Sequence, residues 1–340
     1  MRFILIGTSL GVIYPIFSDG FEHVRPFING AVTGIIGAIC IAYPDLYLFP
    51  KFARKLKLYQ FIFLKTFFYF LILTLLLFLI TISSRMIQFG MSFQEVIASE
   101  EYQLYLTEGD FPYALFFMIF ISFVYHFTLS INRKLGKGVL YNMIIGRYRQ
   151  PKEEERIFMF LDLNSSTSIA EKLDNFTYHN LLFEFYSDIS ESILATKGDI
   201  YQYVGDEVVV SWKTNKLHNY KSCVDTYFLA KAFIQKRQEK YQQKYGLVPG
   251  FKAAFHAGRV ILGEIGVTKS DIVFHGDVMN TTARIEKKCS DLGKEVLVSK
   301  NLLDKVSLPA TYKVEPVGNI ALRGKSQSLP LYSIEPTISF

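Results

Sequence analysis

Two aspartates, an asparagine and an arginine carry the chemistry available to this 340-residue sequence. Asp206 follows Gly205 between two runs rich in β-branched and aromatic residues, Ile200 to Val204 and Glu207 to Trp212. A two-residue Gly-Asp link between such runs predicts a β-hairpin with a primed turn, because glycine supplies the positive φ that the turn needs. Asp206 would then stand at the tip of a stiff hairpin. Asp162 ends another apolar run, Ile157 to Leu161. If the two strands are neighbours, both carboxylates lie at one end of one sheet, an oxygen-ligand pair suited to a divalent cation.

Asn280 and Arg284 fall four residues apart on a helix predicted from about Val278 to Asp291, so they share one face. An amide beside a guanidinium suits a ribose hydroxyl and a phosphate, the latter gripped by a forked, charge-assisted pair of hydrogen bonds. A solvated polar face on any amphipathic helix has the same spacing, and taken alone the pair reads that way. Asp277 is expected to cap this helix, with Val278, Thr282, Ile285 and Cys289 turned to the core.

The elements that must position these groups alternate from Arg156 onward. A strand over Ile157 to Leu163 precedes a long helix from about Ser168 to Thr196, then the hairpin, then a second long helix from about Lys221 to Tyr245. Strands are expected at Phe251 to Ala257, Val260 to Ile265 and Ile272 to Phe274, and further ones near Val296 to Ser299 and Leu331 to Ile334. That order predicts an α+β domain with helices packed on one sheet.

The first 131 residues are of another kind. Half of the whole chain is hydrophobic, with 31 Phe and 21 Tyr, and the excess is concentrated there. Four apolar segments run from Phe3 to Phe17, Phe27 to Tyr43, Thr66 to Ile82 and Phe111 to Ile131. They predict a transmembrane α-helical domain of four spans. The first is short and contains Pro15, but Ser18-Asp19-Gly20 offers no small-residue cleavage site, so a retained span is expected. Lys51, Arg54, Lys55 and Lys57 follow the second segment, and Arg133, Lys134, Lys137, Arg147 and Arg149 follow the fourth. The loop from Ser83 to Pro112 carries five acids against Arg85. The positive-inside bias then predicts a multi-pass protein of the cytoplasmic membrane, with both termini and the second domain in the cytoplasm. Lys65 is expected to snorkel to the interface and lone His126 to be a hydrogen-bonded packing residue, which argues against a transport path.

Residues 132–155 read as a connector, with Leu135, Leu140, Met143 and Ile144 at helical spacing and Pro151 ending the pattern. It is either a short amphipathic helix or a plain spacer. The net charge of +6 lies largely beside apolar segments, so nucleic acid is not an expected partner. Cys40, Cys223 and Cys289 have no metal or redox spacing.

Four stretches in order, Phe160 to Thr167, Tyr203 to Asp206, Phe255 to Gly263 and His275 to Glu286, together resemble the catalytic domain of class III adenylate/guanylate cyclases. The resemblance covers about Glu155 to Pro336 and implies a ferredoxin-like cyclase fold at 156–336. It also implies that Asp162 and Asp206, with the main-chain carbonyl of Leu163, hold two Mg²⁺ or Mn²⁺ ions. Asn280 would orient the ribose and Arg284 would stabilise charge on the α-phosphate. Arg323 matches a family lysine that binds the terminal phosphates. A homodimer is implied, because in this family the metal carboxylates and the Asn/Arg pair of one site come from different protomers.

Base selection departs from the family pattern. Gln202 stands where adenylate cyclases usually have Lys and guanylate cyclases Glu, and Val273 occupies the second base-reading position. Gln202 can donate and accept, so it suits either purine. ATP is favoured as the commoner substrate among anchored bacterial-type members, with GTP the alternative. Two other rivals are a degenerate cyclase fold used for dimerisation or nucleotide sensing, and a GGDEF-type diguanylate cyclase suggested by Gly205-Asp206-Glu207. The GGDEF signature needs a glycine where Val204 stands.

Overall fold

The computed structural model describes residues 8–9, 12–13, 25–52, 56–136, 138–214, 221–306, 308, 310–321 and 328–337. The chain divides into two compact units, Met1–Leu135 and Gly136–Phe340.

In the first unit, helices α1 (Arg25–Tyr47), α2 (Leu58–Phe89) and α3 (Asp110–Leu135) take up the second, third and fourth apolar segments. The first segment lies outside the described residues apart from 8–9 and 12–13. Among the described residues, two helices, Leu58–Phe89 and Glu100–Leu135, are long and apolar enough to cross a membrane.

Lys65 does not snorkel. It is 4% exposed, lies 2.5 Å from Asp45 of α1, and is ringed by Phe49, Phe61 and Tyr69 at 5.0, 5.5 and 6.0 Å. Asp45, whose oxygen also accepts from the Tyr69 hydroxyl at 2.8 Å, makes the burial tolerable, since a buried ammonium needs a paired, hydrogen-bonded anion. His126 is not alone either: its ring stacks on Tyr69 with centroids 4.8 Å apart. Its Nδ1 has no hydrogen-bond partner among the described residues.

The second unit is built on an eight-stranded sheet. Its strands are β1 (Lys152–Leu163), β2 (Asp199–Val204), β3 (Glu207–Lys213), β4 (Phe251–Ile265), β5 (Asp271–His275), β6 (Val296–Ser299), β7 (Tyr312–Ile320) and β8 (Leu329–Pro336). The order is β2-β3-β1-β4-β6-β8-β7, with β5 paired to β4. All pairs are antiparallel except β4 with β6.

Strand alternation sorts β1 between two cores. Ile157, Met159, Leu161 and Leu163 join the larger core under α5 (Asn175–Ala195) and α6 (Lys221–Lys236). Phe158 and Phe160 face α7 (Asp277–Asp291) on the other side. Helix α7 lies close to β4 at Gly258, where an added Cβ would come within 3.2 Å of Val278. A Cβ there would require Val278 to give way by a few tenths of an ångström.

Several boundaries differ from expectation. The first long helix is broken after Lys172, and Asp174 caps its second part by accepting from the N–H groups of Phe176 and Thr177. The second is likewise split, into α6 and Gln238–Tyr245. β4 is a single strand through Gly258, where two had been expected. Asp277 is the first helical residue and not the cap; Gly276 occupies the cap, and the Asp277 carboxylate accepts from the Thr281 hydroxyl instead. Val278, Thr282, Ile285 and Cys289 are buried, as the helical spacing predicts.

In the connector, a six-residue helix α4 (Val139–Ile144) is set off from α3 by Gly136 and Gly138, both with positive φ. Tyr148 then docks on the sheet, its carbonyl accepting from the Glu264 N–H at 3.1 Å.

Candidate active site

The hairpin forms as its residues require. Val204 pairs with Glu207, leaving Gly205-Asp206 as the two-residue turn. Gly205 has φ of 62°, and positive φ at the first turn residue alone is the pattern of a type II′ turn. Tyr186 of α5 pins the turn from outside the strand. Its hydroxyl donates to the Gly205 carbonyl at 2.9 Å, and its ring lies 4.6 Å from that of Tyr203. The Leu163 N–H donates to the Asp206 carbonyl at 3.4 Å, which ties the end of β1 to the turn.

Because β1 and β3 are direct neighbours with Asp162 opposite Glu207, the two aspartates meet at one end of the sheet. They line an open cleft of about 430 Å³ with Val204, Glu207, Lys252, Glu286, Lys287 and Ser290. Lys252 was not anticipated from sequence. It stands opposite Asp162 on β4, and its ammonium lies 2.6 Å from Asp162 and 3.1 Å from Glu286. The signal that could have found it is the antiparallel register of β1 with β4, which is not a local property of either segment.

The cleft holds four carboxylates against two ammonium groups, and their titration reflects the excess. Burial raises the pKa of Asp162, and the charge of Asp206 adds to it against the opposing pull of Lys252. Burial, then the charges of Glu286, Asp162 and Asp206, push Glu207 up to about 7. Burial also raises Glu286. Burial alone would lower Lys252, but Asp162 and Glu286 outweigh it and raise the ammonium.

A carboxylate whose folded pKa lies above its unfolded value binds more protons when folded, so its ionisation costs stability as pH rises between the two. For Glu207 the window runs from the model-peptide value of 4.5 to about 7. In metal-free buffer, Glu207→Gln is therefore expected to stabilise the chain at pH 8 by about 1–2 kcal/mol, below the full linkage value because solvent reaches the group. The gain should vanish at pH 4.5. Thermal unfolding at the two pH values checks this, and an equal effect at both would contradict it.

The donor set fits divalent cations. Divalent cations can take one or two carboxylates and complete their shell from substrate phosphates; among the described residues no group of three His, Cys, Asp or Glu side chains could hold a metal ion by itself. Asp162 and Asp206, which line the cleft, could supply those carboxylates.

The other expected site residues are not in this cleft. Asn280 and Gln202 are exposed, Arg284 and Val273 are half-buried, and none of the four lines it. Arg323 lies outside the described residues. Gln202 is aimed by a bulge: β2 shifts register between Ile200 and Gln202, so Gln202 stands opposite Val209, which belongs to the cluster under α7. Uninterrupted alternation would have placed it on the same side as Ile200, which packs against the larger core.

Known proteins place the chain. Adenylate cyclase 2 of Rhizobium meliloti (strain 1021) is 35% identical over 208 residues, 61% of this chain and 57% of that protein. Adenylate cyclase 1 of the same organism is 26% identical over 222 residues, 62% of this chain and 32% of that protein. The chain thus spans little more than half of the first curated relative and about a third of the second. A solved bacterial light-regulated adenylyl cyclase shares the fold, with a TM-score of 0.54 at 18% identity over 64% of each chain. The family described as adenylate and guanylate cyclase catalytic domain matches residues 148–335, more than half of the chain, and the protein belongs to that class III cyclase family.

Proposed function

We propose that this protein is a membrane-anchored adenylate cyclase that converts ATP to 3′,5′-cyclic AMP and pyrophosphate at sites shared between two copies of the chain. The observation that carries this reading is the division of the site residues. Asp162 and Asp206 line one acidic cleft, while Asn280, Arg284, Gln202 and Val273 lie elsewhere in the same chain. Two chains related by a two-fold axis would bring the cleft of each against the other four residues of its partner.

Asp162, Asp206 and the Leu163 carbonyl would hold the two cations, Mg²⁺ or Mn²⁺. Bound there, these would supply charge neutralisation on the triphosphate and a lowered pKa for the ribose hydroxyl. The 3′-oxygen forms a bond to the α-phosphorus, the bond from that phosphorus to the bridging oxygen breaks, and pyrophosphate leaves with the electron pair. The hydroxyl proton passes to solvent. Asn280 orients the ribose, and Arg284 meets the charge that builds on the α-phosphate, a preorganised electrostatic effect. Lys252, whose ammonium pairs with Asp162 in the cleft, would contact the triphosphate. Arg323 would bind the terminal phosphates.

Adenine offers a donor and an acceptor on its Watson–Crick edge, and the Gln202 amide matches both. Guanine can be met the same way, so the two Rhizobium relatives named as adenylate cyclases tip the choice to ATP. The helices Leu58–Phe89 and Glu100–Leu135 would anchor the chain. The four-span count rests on the four apolar segments of the sequence, and the cytoplasmic placement of the catalytic unit on the basic loops.

The test is incubation of the purified chain with ATP or GTP, each with Mg²⁺ and with Mn²⁺, followed by product chromatography. Cyclic AMP with pyrophosphate in equal amounts is expected. Cyclic GMP would move the assignment to guanylate cyclase, cyclic di-GMP to the diguanylate class, and no product would mark a degenerate binding module.

A further inference from the structure

Gln202 and Val273, assigned above to the purine, sit on strands that are not neighbours: β3, β1 and β4 lie between β2 and β5. Side chains on the face under α7 join them all the same. Tyr201 is the extra residue of the β2 bulge. Its ring lies 4.8 Å from that of Phe274, and its hydroxyl oxygen accepts from the Phe274 N–H at 3.4 Å. Phe274 meets Phe158 edge-on at 5.4 Å and carries the Arg156 guanidinium 4.6 Å from its ring centroid.

Arg156 is itself fixed. It is 4% exposed, and it donates to the Ser211 hydroxyl at 2.8 Å and to Glu154 at 3.0 Å. Glu154 is held in turn by Lys213 at 3.3 Å and Arg147 at 3.5 Å. Filling this space with aliphatic side chains would avoid the desolvation of a buried guanidinium. What the polar assembly adds is direction: a planar cation over one ring, and one hydroxyl on one main-chain N–H.

We propose that Tyr201, Phe274 and Arg156 are positioning residues that set the separation and orientation of Gln202 and Val273, and so govern purine selectivity. The inference rests on the base-reading assignment made above. Tyr201 stabilises the bulge that turns Gln202 to the face under α7, and Phe274, packed by Tyr201, Phe158 and Arg156, anchors β5 beside Val273. A reading amide held in place by its supporting strand loses less freedom on binding than one on a loose edge.

Steady-state kinetics of the full chain test it, with Tyr201→Phe, Phe274→Leu and the control Gln202→Ala. Tyr201→Phe removes one hydroxyl and keeps the ring, so it reads the contact without disturbing folding. It is expected to raise KM for the preferred nucleotide about threefold, as loss of one neutral hydrogen bond would. Phe274→Leu should raise it about tenfold through loss of the ring contacts. Both should shift the ATP-to-GTP ratio of kcat/KM in the same direction as Gln202→Ala, leaving kcat and the half-saturating Mn²⁺ concentration within about twofold. If Gln202→Ala moves KM and selectivity while the other two move neither, the positioning role is overturned. A parallel shift of kcat, KM and Mn²⁺ requirement would mark a merely structural role and overturn it too. If Gln202→Ala itself is silent, the base-reading assignment fails and this inference falls with it.

Discussion

Asp206→Ala is expected to lower turnover by about three orders of magnitude or more while leaving the fold intact. The expectation combines two separable facts. Asp206 sits in a two-residue turn whose backbone is held through its carbonyls: the Tyr186 hydroxyl donates to the Gly205 carbonyl and the Leu163 N–H to the Asp206 carbonyl. Neither bond uses the aspartate side chain. Removing its charge also relieves Glu207, whose pKa it helps to raise, so metal-free stability should rise slightly. Catalysis loses one of the two carboxylates that would hold the cations. Charge stabilisation of several kcal/mol is at stake in such sites, and about 4 kcal/mol corresponds to roughly 10³ in rate. Initial rates of cyclic product formation, with thermal unfolding measured alongside, check both halves. A loss below tenfold would remove Asp206 from the metal site.

Much of the fold was legible because its elements are locally encoded. The Gly205-Asp206 turn and the apolar periodicity of α7 follow from backbone and burial rules that act within a few residues. Breaks in the long helices were harder to read. Asp174 stops one helix and caps the next within a continuous apolar pattern, so periodicity runs straight through the boundary. β7 escaped notice because its residues alternate weakly between buried and exposed, and it pairs only with β8 at the sheet edge. In the first unit, Asp45 lies beyond the apolar segment counted as a span, yet α1 carries it back to Lys65. A linear count of charges within spans misses such pairs.

The candidate site was legible where a residue type suggests its chemistry and obscure where register brings residues together. Asp162 and Asp206 were identified as a pair from two short runs, and the sheet order makes them neighbours. Lys252, Glu207 and Glu286 were not, because their roles depend on which residue stands opposite which. A one-residue bulge at Tyr201 decides which way Gln202 faces, and no local composition marks it.

Mixing two inactive variants tests the central claim most directly, because it asks at once whether the acidic cleft and the α7 pair do the same chemistry and whether they do it across two chains. Asp206→Ala keeps Asn280 and Arg284; Arg284→Ala keeps both aspartates. After unfolding-free exchange of subunits in detergent, random pairing puts half of the chains into mixed dimers, each with one intact site of two. Cyclic AMP production is therefore predicted to recover to about a quarter of the unmodified rate. Recovery requires only that each variant be folded, which thermal unfolding establishes beforehand. If mixed dimers form, as shown by co-purification of differently tagged chains, and no cyclic nucleotide appears, the shared-site account is contradicted.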